Sequence, residues 1–555
     1  LLTNYPFFWF EPERRFLKVV FQKNKEINMK NIFYFLLSAL LIIPAACTDD
    51  FDELNTDPKN LTVDALGQGS FGLVGAAAMY YPVHVGLNDR GSFQLAHSLF
   101  ADIYANYMAT TAPNFDSDKF TLVGRWLNGA YVDFYRDAAP QIKYVEDFSA
   151  ESGYTVENAI FKVWRVFAYH RITDYWGPIP YSQFGNGEGV VPFDDQESIY
   201  RDFFATLDEA ISVLQSNSSS TSFLGSNDVV FGGNVGQWLK FANSLKLRLA
   251  MRVRYADAGL AKSNAEAAIS SGVIESNGDN AFVHTSNNWR NGYTTITQWG
   301  EFRMSADMES ILKGYQDPRI AEYFAPAAEP DPSDDPAGIS FPYEGMRNGQ
   351  SKEAKQGSGF NEKASDMAAI YTTAETAGPD WPLIKASEVY FLRAEGALIG
   401  WNMGGQSAQE YYETGINRSF EEYGLAPTDL SGNAYVSSGN VPANLDASTP
   451  PVSTVPVAYD AAGSEEKQLE QIITQKWIAL YPNSWEAWAE RRRTGYPTLY
   501  PRLNTDDPAI PVDAIPARVP YTSTEYDNNP DGLATGISAL GGPDNGATKL
   551  WWDKK

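Results

Sequence analysis

Residues 236–253 read "GQWLKFANSLKLRLAMRV". Trp238, Phe241, Ala242, Leu245 and Leu249 recur at intervals of three and four, a period that places them on one face of an α-helix. Lys240, Lys246 and Arg252 fall on the other side, so the segment is expected to bury its apolar stripe and turn these cations to solvent. The same period governs the segment before it, "PFDDQESIYRDFFATLDEAISVL" at 192–214. There Ile199, Phe203, Leu207, Ile211 and Leu214 form the stripe, and Asp194 with Glu197 has capping-box spacing.

Helical signals continue in both directions. Residues 154–181, "YTVENAIFKVWRVFAYHRITDYWGPIPY", place Ile160, Trp164, Phe167 and Ala168 together. Thr155 is the expected cap, and Gly177-Pro178 the stop. Downstream, "LIKASEVYFLRAEGALIGW" at 383–401 and "YYETGINRSFEEYG" at 411–424 read as a helical hairpin with small residues at the contacts. "QLEQIITQKWIALYPNSWEAWAERRRTGYP" at 468–497 adds two helices and ends on Gly495 and Pro497. Trp164, Trp238, Trp477, Trp485 and Trp488 lie on these helices and are expected in the core. Arg491, Arg492 and Arg493, with Glu486 and Glu490, are expected to form a solvated or paired helix end rather than an anion site. Residues 326–360 and 424–466 are rich in Pro, Gly and Ser and read as long loops, a length usually tied to function. The fold class is therefore mainly α, built of tetratricopeptide-like helix pairs with a loop-rich face.

The N-terminal region gives an address. The apolar run "IFYFLLSALLIIPAA", 32–46, is too short for a bilayer span, which takes about 20 residues, and follows Met29-Lys30 as a signal-peptide core would. Ala45 and Ala46 then precede Cys47, the one cysteine in 555 residues. This order resembles a bacterial lipobox, with Pro44 where Leu is usual, and makes Cys47 the lipidation site. The acidic "CTDDFDEL" that follows resembles the surface-export signal of Bacteroides-group lipoproteins. The expected organisation is an over-extended start at 1–28, a signal peptide at 29–46, a lipidated acidic tether at 47–62 and a single domain at 63–555.

Composition narrows the function. A net charge of −26 argues against a nucleic-acid partner, since phosphate binding needs clustered cations. His84, His97, His170 and His284 show no metal-ligand spacing, so no metal or cofactor is expected. "GQGSFG" at 67–72 matches a phosphate-loop pattern without its strand-turn-helix context. "DNNPDG" at 527–532 begins like a calcium loop but has Ser538 where the bidentate Glu belongs, and reads as a turn. No catalytic residue stands out. The aromatic-rich stretch "NWRNGYTTITQWGEF", 288–302, supplies the candidate ligand site: Trp289, Tyr293 and Trp299 to stack on sugar faces, Arg290 and Asn291 to bond hydroxyls.

Six segments, "RITDYWGPIPY", "PFDDQESIYRDFFATLDEAI", "WLKFANSLKLRLAMRV", "PLIKASEVYFLRAEGALIGW", "QKWIALYPNSWEAWAERRRTGYP" and the C-terminal "GGPDNGATKLWWDKK", resemble, in order, those of the SusD/RagB-like outer-membrane lipoproteins of Bacteroidetes. The resemblance implies four helix pairs under a loop-rich face and a non-catalytic, surface-exposed binder of nutrient, oligosaccharide or peptide. It also implies a SusC-like TonB-dependent barrel as partner and the outer membrane, by lipid anchor, as location. The competing readings are a surface glycoside hydrolase and a helical scaffold that binds only proteins.

Overall fold

The computed structural model describes residues 68–84, 93–122, 124–374 and 376–555. The expectations for 1–28, the signal peptide, Cys47, the tether and Gly67 lie outside these residues. The principal helices are α1 (Gln68–Tyr80), α2 (Gly124–Asp133), α3 (Ala139–Glu151), α4 (Thr155–Trp176), α5 (Gln196–Ser216), α6 (Val235–Arg252), α7 (Ala258–Ser271), α8 (Ala306–Tyr315), α9 (Ala386–Leu398), α10 (Ala408–Glu422), α11 (Glu465–Leu480), α12 (Ser484–Thr494) and α13 (Pro530–Leu540).

Consecutive helices pack as four pairs, α4 with α5, α6 with α7, α9 with α10 and α11 with α12. α5 meets α6, α6 meets α9, and α9 meets α11, so the pairs join into one body, with α1 and α3 against its first pair. Local chemistry sets the helix ends. The Asp195 carboxylate accepts from the Ser198 N–H and Asn234 Oδ1 from the Gln237 N–H, while Ser407 and Glu410 form a reciprocal capping box. Each such cap is worth about 1 kcal/mol. Gly177 at φ 89° and Gly495 at φ 81° close α4 and α12 in backbone conformations that a side chain disfavours.

Two expected caps move. The cap of α5 is Asp195, one residue after Asp194, whose carboxylate instead receives the backbone N–H and hydroxyl of Ser182. Thr155 is the first residue of α4 and makes no capping bond; its hydroxyl donates back to the Gly153 carbonyl. "GQGSFG" lies largely within α1, with Phe71 buried, and "DNNPDG" spans the junction between a short helix, Ser523–Asn528, and α13.

The five helix tryptophans are buried as expected, but the charged faces are solvated only in part. Lys240 does reach solvent, its side chain 44% exposed, but Arg252 is fully buried and Lys246 nearly so, because α6 has helices on several sides. The α12 cluster is likewise interior. An ionic spine crosses the body there. Arg248 bonds Glu388 at 2.6 and 2.7 Å, and Arg252 pairs with Asp174 at 2.8 Å and with Glu486. Arg493 holds Glu395 and Glu490, each at 2.6 Å; Lys476 reaches Glu490 at 3.0 Å and Arg254 reaches Glu395 at 2.7 Å. Five cations thus meet five carboxylates drawn from α4, α6, the turn after it, α9, α11 and α12. Burial raises carboxylate pKa, but the surrounding guanidiniums win at Glu486, held at about 2, and at Glu490, held well below its usual range.

Three antiparallel two-stranded ribbons pin loops to the body: β1 (Met108–Thr110) with β5 (Phe302–Met304), β2 (Ile179–Pro180) with β3 (Phe193–Asp194), and β4 (Ala281–Val283) with β6 (Trp381–Ile384). The last carries the candidate site.

Candidate functional site

The β4–β6 ribbon pairs Ala281 with Ile384 and Val283 with Trp381, so His284 and Asp380 leave its end side by side. His284 Nδ1 lies 2.7 Å from Asp380 Oδ2, and the Thr285 N–H donates to Asp380 Oδ1 at 2.8 Å. The hydrogen bond to Asp380 raises the His284 pKa against partial burial. Burial pushes Asp380 the other way, but the bonds from His284 and Thr285 leave it below its usual value. The imidazole itself is 60% exposed.

The aromatic stretch that follows divides in two. Trp289 is half-buried and stacks flat on Tyr80, centroids 4.3 Å apart and planes at 5°, with Tyr81 meeting it edge-on at 5.5 Å. The Tyr80 hydroxyl donates to the His284 carbonyl at 3.0 Å, fixing the stack to the ribbon. Arg290 is half-buried, its Nε donating to the Asn287 carbonyl at 3.2 Å. Trp299 is 45% exposed at the end of a short 3-10 turn, Thr297–Trp299.

Asn291 and Tyr293 do not join them at the surface. Asn291 is fully buried: its side-chain amide donates to the Pro379 carbonyl at 3.0 Å and accepts from the Tyr293 N–H at 3.1 Å. It is a clamp between two loops. Tyr293 is buried with its hydroxyl 3.0 Å from both oxygens of Asp102, and its ring packs on Phe93 and Trp381. Both side chains, expected at the ligand, are instead buried and bonded to other segments. Gly292 between them has no room for a side chain, since a Cβ would lie 2.2 Å from the Phe93 ring.

A cavity of about 160 Å³ is lined by Phe282, Ile370, Tyr371, Asp380, Lys385 and Glu422, among others. Asp380 connects it to His284. Tyr371 connects it to the other side, where its carbonyl accepts from the Thr297 hydroxyl at 3.4 Å and Gln298 donates to the Thr372 carbonyl. Ile370, at the rim, is 50% exposed. Sequence reasoning missed Tyr80, Tyr81, His284, Asp380 and Ile370. They carry no local motif, and Tyr80 meets His284 across 204 positions.

Flat rings beside a polar imidazole–carboxylate pair can stack on an apolar sugar face and bond its hydroxyls. In the cavity beside this pair, Glu422 is ion-paired to Lys385 at 3.2 Å. Among the described residues no group of three His, Cys, Asp or Glu side chains is placed to hold a metal ion, and no helix is long and apolar enough to cross a membrane.

Residues 53–553 match the family model described as "SusD-like: Susd and RagB outer membrane lipoprotein". The chain belongs to the SusD-like family. Solved structures agree. A chitin-binding SusD homolog from Flavobacterium johnsoniae is 36% identical, with 87% of this chain and 98% of that one covered and a TM-score of 0.77. A SusD homolog from Bacteroides vulgatus is 32% identical over the same shares, TM-score 0.78. A further chitin-binding protein is 26% identical, with 87% and 100% covered, TM-score 0.71. Comparison with curated proteins gave no match. For this SusD-like protein the four helix pairs and loop-rich face expected from sequence are thus the family's fold, and the family consists of outer-membrane lipoproteins.

Proposed function

We propose that this SusD-like protein captures an oligosaccharide on the face formed by Tyr80, Tyr81, Trp289, His284, Asp380 and Trp299. It then delivers the glycan to a SusC-like TonB-dependent barrel, while anchored through lipid on Cys47 and facing the cell exterior. The observation that carries the reading is the Trp289–Tyr80 stack beside the exposed His284–Asp380 pair. The chitin-binding structural relative at 36% identity supports a glycan over a peptide as cargo. Arg290, half-buried next to the stack, is within the same face and is assigned to hydroxyl recognition. The protein acts by binding alone.

The test is calorimetry of the purified protein against chito-oligosaccharides, other glycans of similar length and short peptides. Saturable binding of a glycan, weakened by Trp289→Ala, supports the reading. Binding of peptides only would replace the cargo. Turnover of a glycan, abolished by one carboxylate change, would replace the whole reading with a surface hydrolase. Gentle extraction of outer membranes with the tagged protein should bring down a large barrel in equal amount; its consistent absence would overturn the delivery step.

A further inference from the structure

The sequence "ERRR", 490–493, places three arginines in the last turn of α12, and the ionic spine accounts for one of them. Arg493 is consumed by Glu395 and Glu490. Arg491 and Arg492 are 8% and 6% exposed, and all their hydrogen-bond partners are neutral. Arg491 makes long bonds to the Tyr104 carbonyl at 3.5 Å and Asn106 Oδ1 at 3.3 Å. Arg492 donates to the Asp174 and Ala517 carbonyls at 2.7 and 2.8 Å, lies over the Trp488 ring at 3.7 Å, and leaves its second terminal nitrogen without a partner. Carbonyl groups satisfy N–H donors without forming an ion pair, so Asp307 beside Arg491, and Asp174 and Asp553 beside Arg492, offset the buried charges only in part. Burial accordingly pushes both guanidinium pKa values down to about 10.

Both arginines line a cavity of about 380 Å³ formed where α12 ends against the C-terminal segments 509–517 and 547–553. Lys549 adds a third cation. Two carboxylates face the same space: Asp553, bonded to Lys549 at 3.0 Å, and the exposed Asp513. Ile510 and Ile515 supply an apolar wall. The local balance is positive in a chain of net charge −26.

We propose that this cavity is an anion-binding site, separate from the aromatic face, that takes a sugar-sized molecule bearing a carboxylate or sulfate group on Arg491 and Lys549. The guanidinium fork matches a planar oxyanion in a bidentate geometry, and the apolar wall accommodates the carbon skeleton. Arg492 supplies field from behind rather than direct contact. A charged residue of a glycan and a free organic acid share the chemistry recognised, that of the oxyanion.

The experiment is calorimetry of the full chain with glucuronate, with glucose as the uncharged control and inorganic sulfate as the bare oxyanion. Glucuronate is expected to bind in a one-to-one ratio and glucose not at all. Loss of one charge-assisted bond corresponds to a fall in affinity of about tenfold or more, expected for Arg491→Gln. Lys549→Ala, at a side chain 57% exposed, provides the check if Arg491→Gln destabilises the protein, with a fall of several-fold. Sulfate binding as tightly as glucuronate would overturn the sugar-sized assignment. Failure of glucuronate to bind, or equal affinity in both variants, would overturn the site. Trp289→Ala should leave glucuronate binding intact, so failure here is distinct from failure of the glycan-capture reading.

Discussion

Glu490→Gln tests the ionic spine at its most connected carboxylate. Glu490 lies 2.6 Å from Arg493, 3.0 Å from Lys476 and 3.6 Å from Arg252, all fully buried. Glutamine keeps the volume and removes the charge, leaving five interior cations to four carboxylates. Breaking a buried pair by removing one partner costs about 3–5 kcal/mol, mostly the desolvation of the charge left behind. Unfolding entropy of about 2.1 cal/mol/K per residue over roughly 490 residues gives about 1 kcal/mol per degree, so Tm should fall by about 3–5 °C. The control is Asp147→Asn, which breaks the exposed i,i+4 pair with Lys143 and should cost about 0.5 kcal/mol or less. Thermal unfolding followed by circular dichroism, with urea midpoints as a second measure, reads both. Equal, sub-degree shifts in the two variants would refute the assignment of the spine as a charge-balanced core element.

Trp289→Ala should weaken glycan binding by about 2 kcal/mol, or about thirtyfold, as expected of an aromatic anchor; Trp299→Ala should weaken it less, and unchanged calorimetric affinity in both would reject the aromatic face. Cys47→Ser should move the protein from the membrane fraction to the soluble one; retention in carbonate-washed membranes would reject lipid anchoring. Stability should peak under mildly acidic conditions. Burial pushes the Asp102 carboxyl up to about 6, against hydrogen bonds from Ser484, Tyr293 and Ser98, so its contribution is present below its ordinary value of 3.8 and lost as pH rises through 6. Glu486, held at about 2 by Arg252 and Arg248 despite burial, acts oppositely: its contribution is present above 4.5 and lost as pH falls toward 2. A Tm profile of Asp102→Asn that parallels wild type between pH 4 and 7 would contradict the first of these assignments.

What the chain determines locally, its sequence determined openly. Period-3.6 stripes marked the helices, Gly177-Pro178 and Gly495 marked their ends, and the ordered segments pointed to the SusD-like family that the comparison then showed. The burial of Trp164, Trp238, Trp477, Trp485 and Trp488 followed from the same stripes. Reading a single helix assigns one face to core and one to water, and that rule failed for Lys246 and Arg252 of α6 and for the buried arginines of α12. Their neighbours come from several other helices, and Arg252 finds its carboxylates 78 and 234 positions away. The aromatic stretch was legible as a cluster but not in its division of labour. Trp289 and Trp299 reach the surface, whereas Asn291 is taken by Pro379 and Tyr293 by Asp102, 88 and 191 positions distant. Side-chain type and spacing fix what a residue can do; which neighbours reach it first is decided only when distant segments pack, because hydrogen-bond and charge partners at such separations leave no periodic trace in the chain.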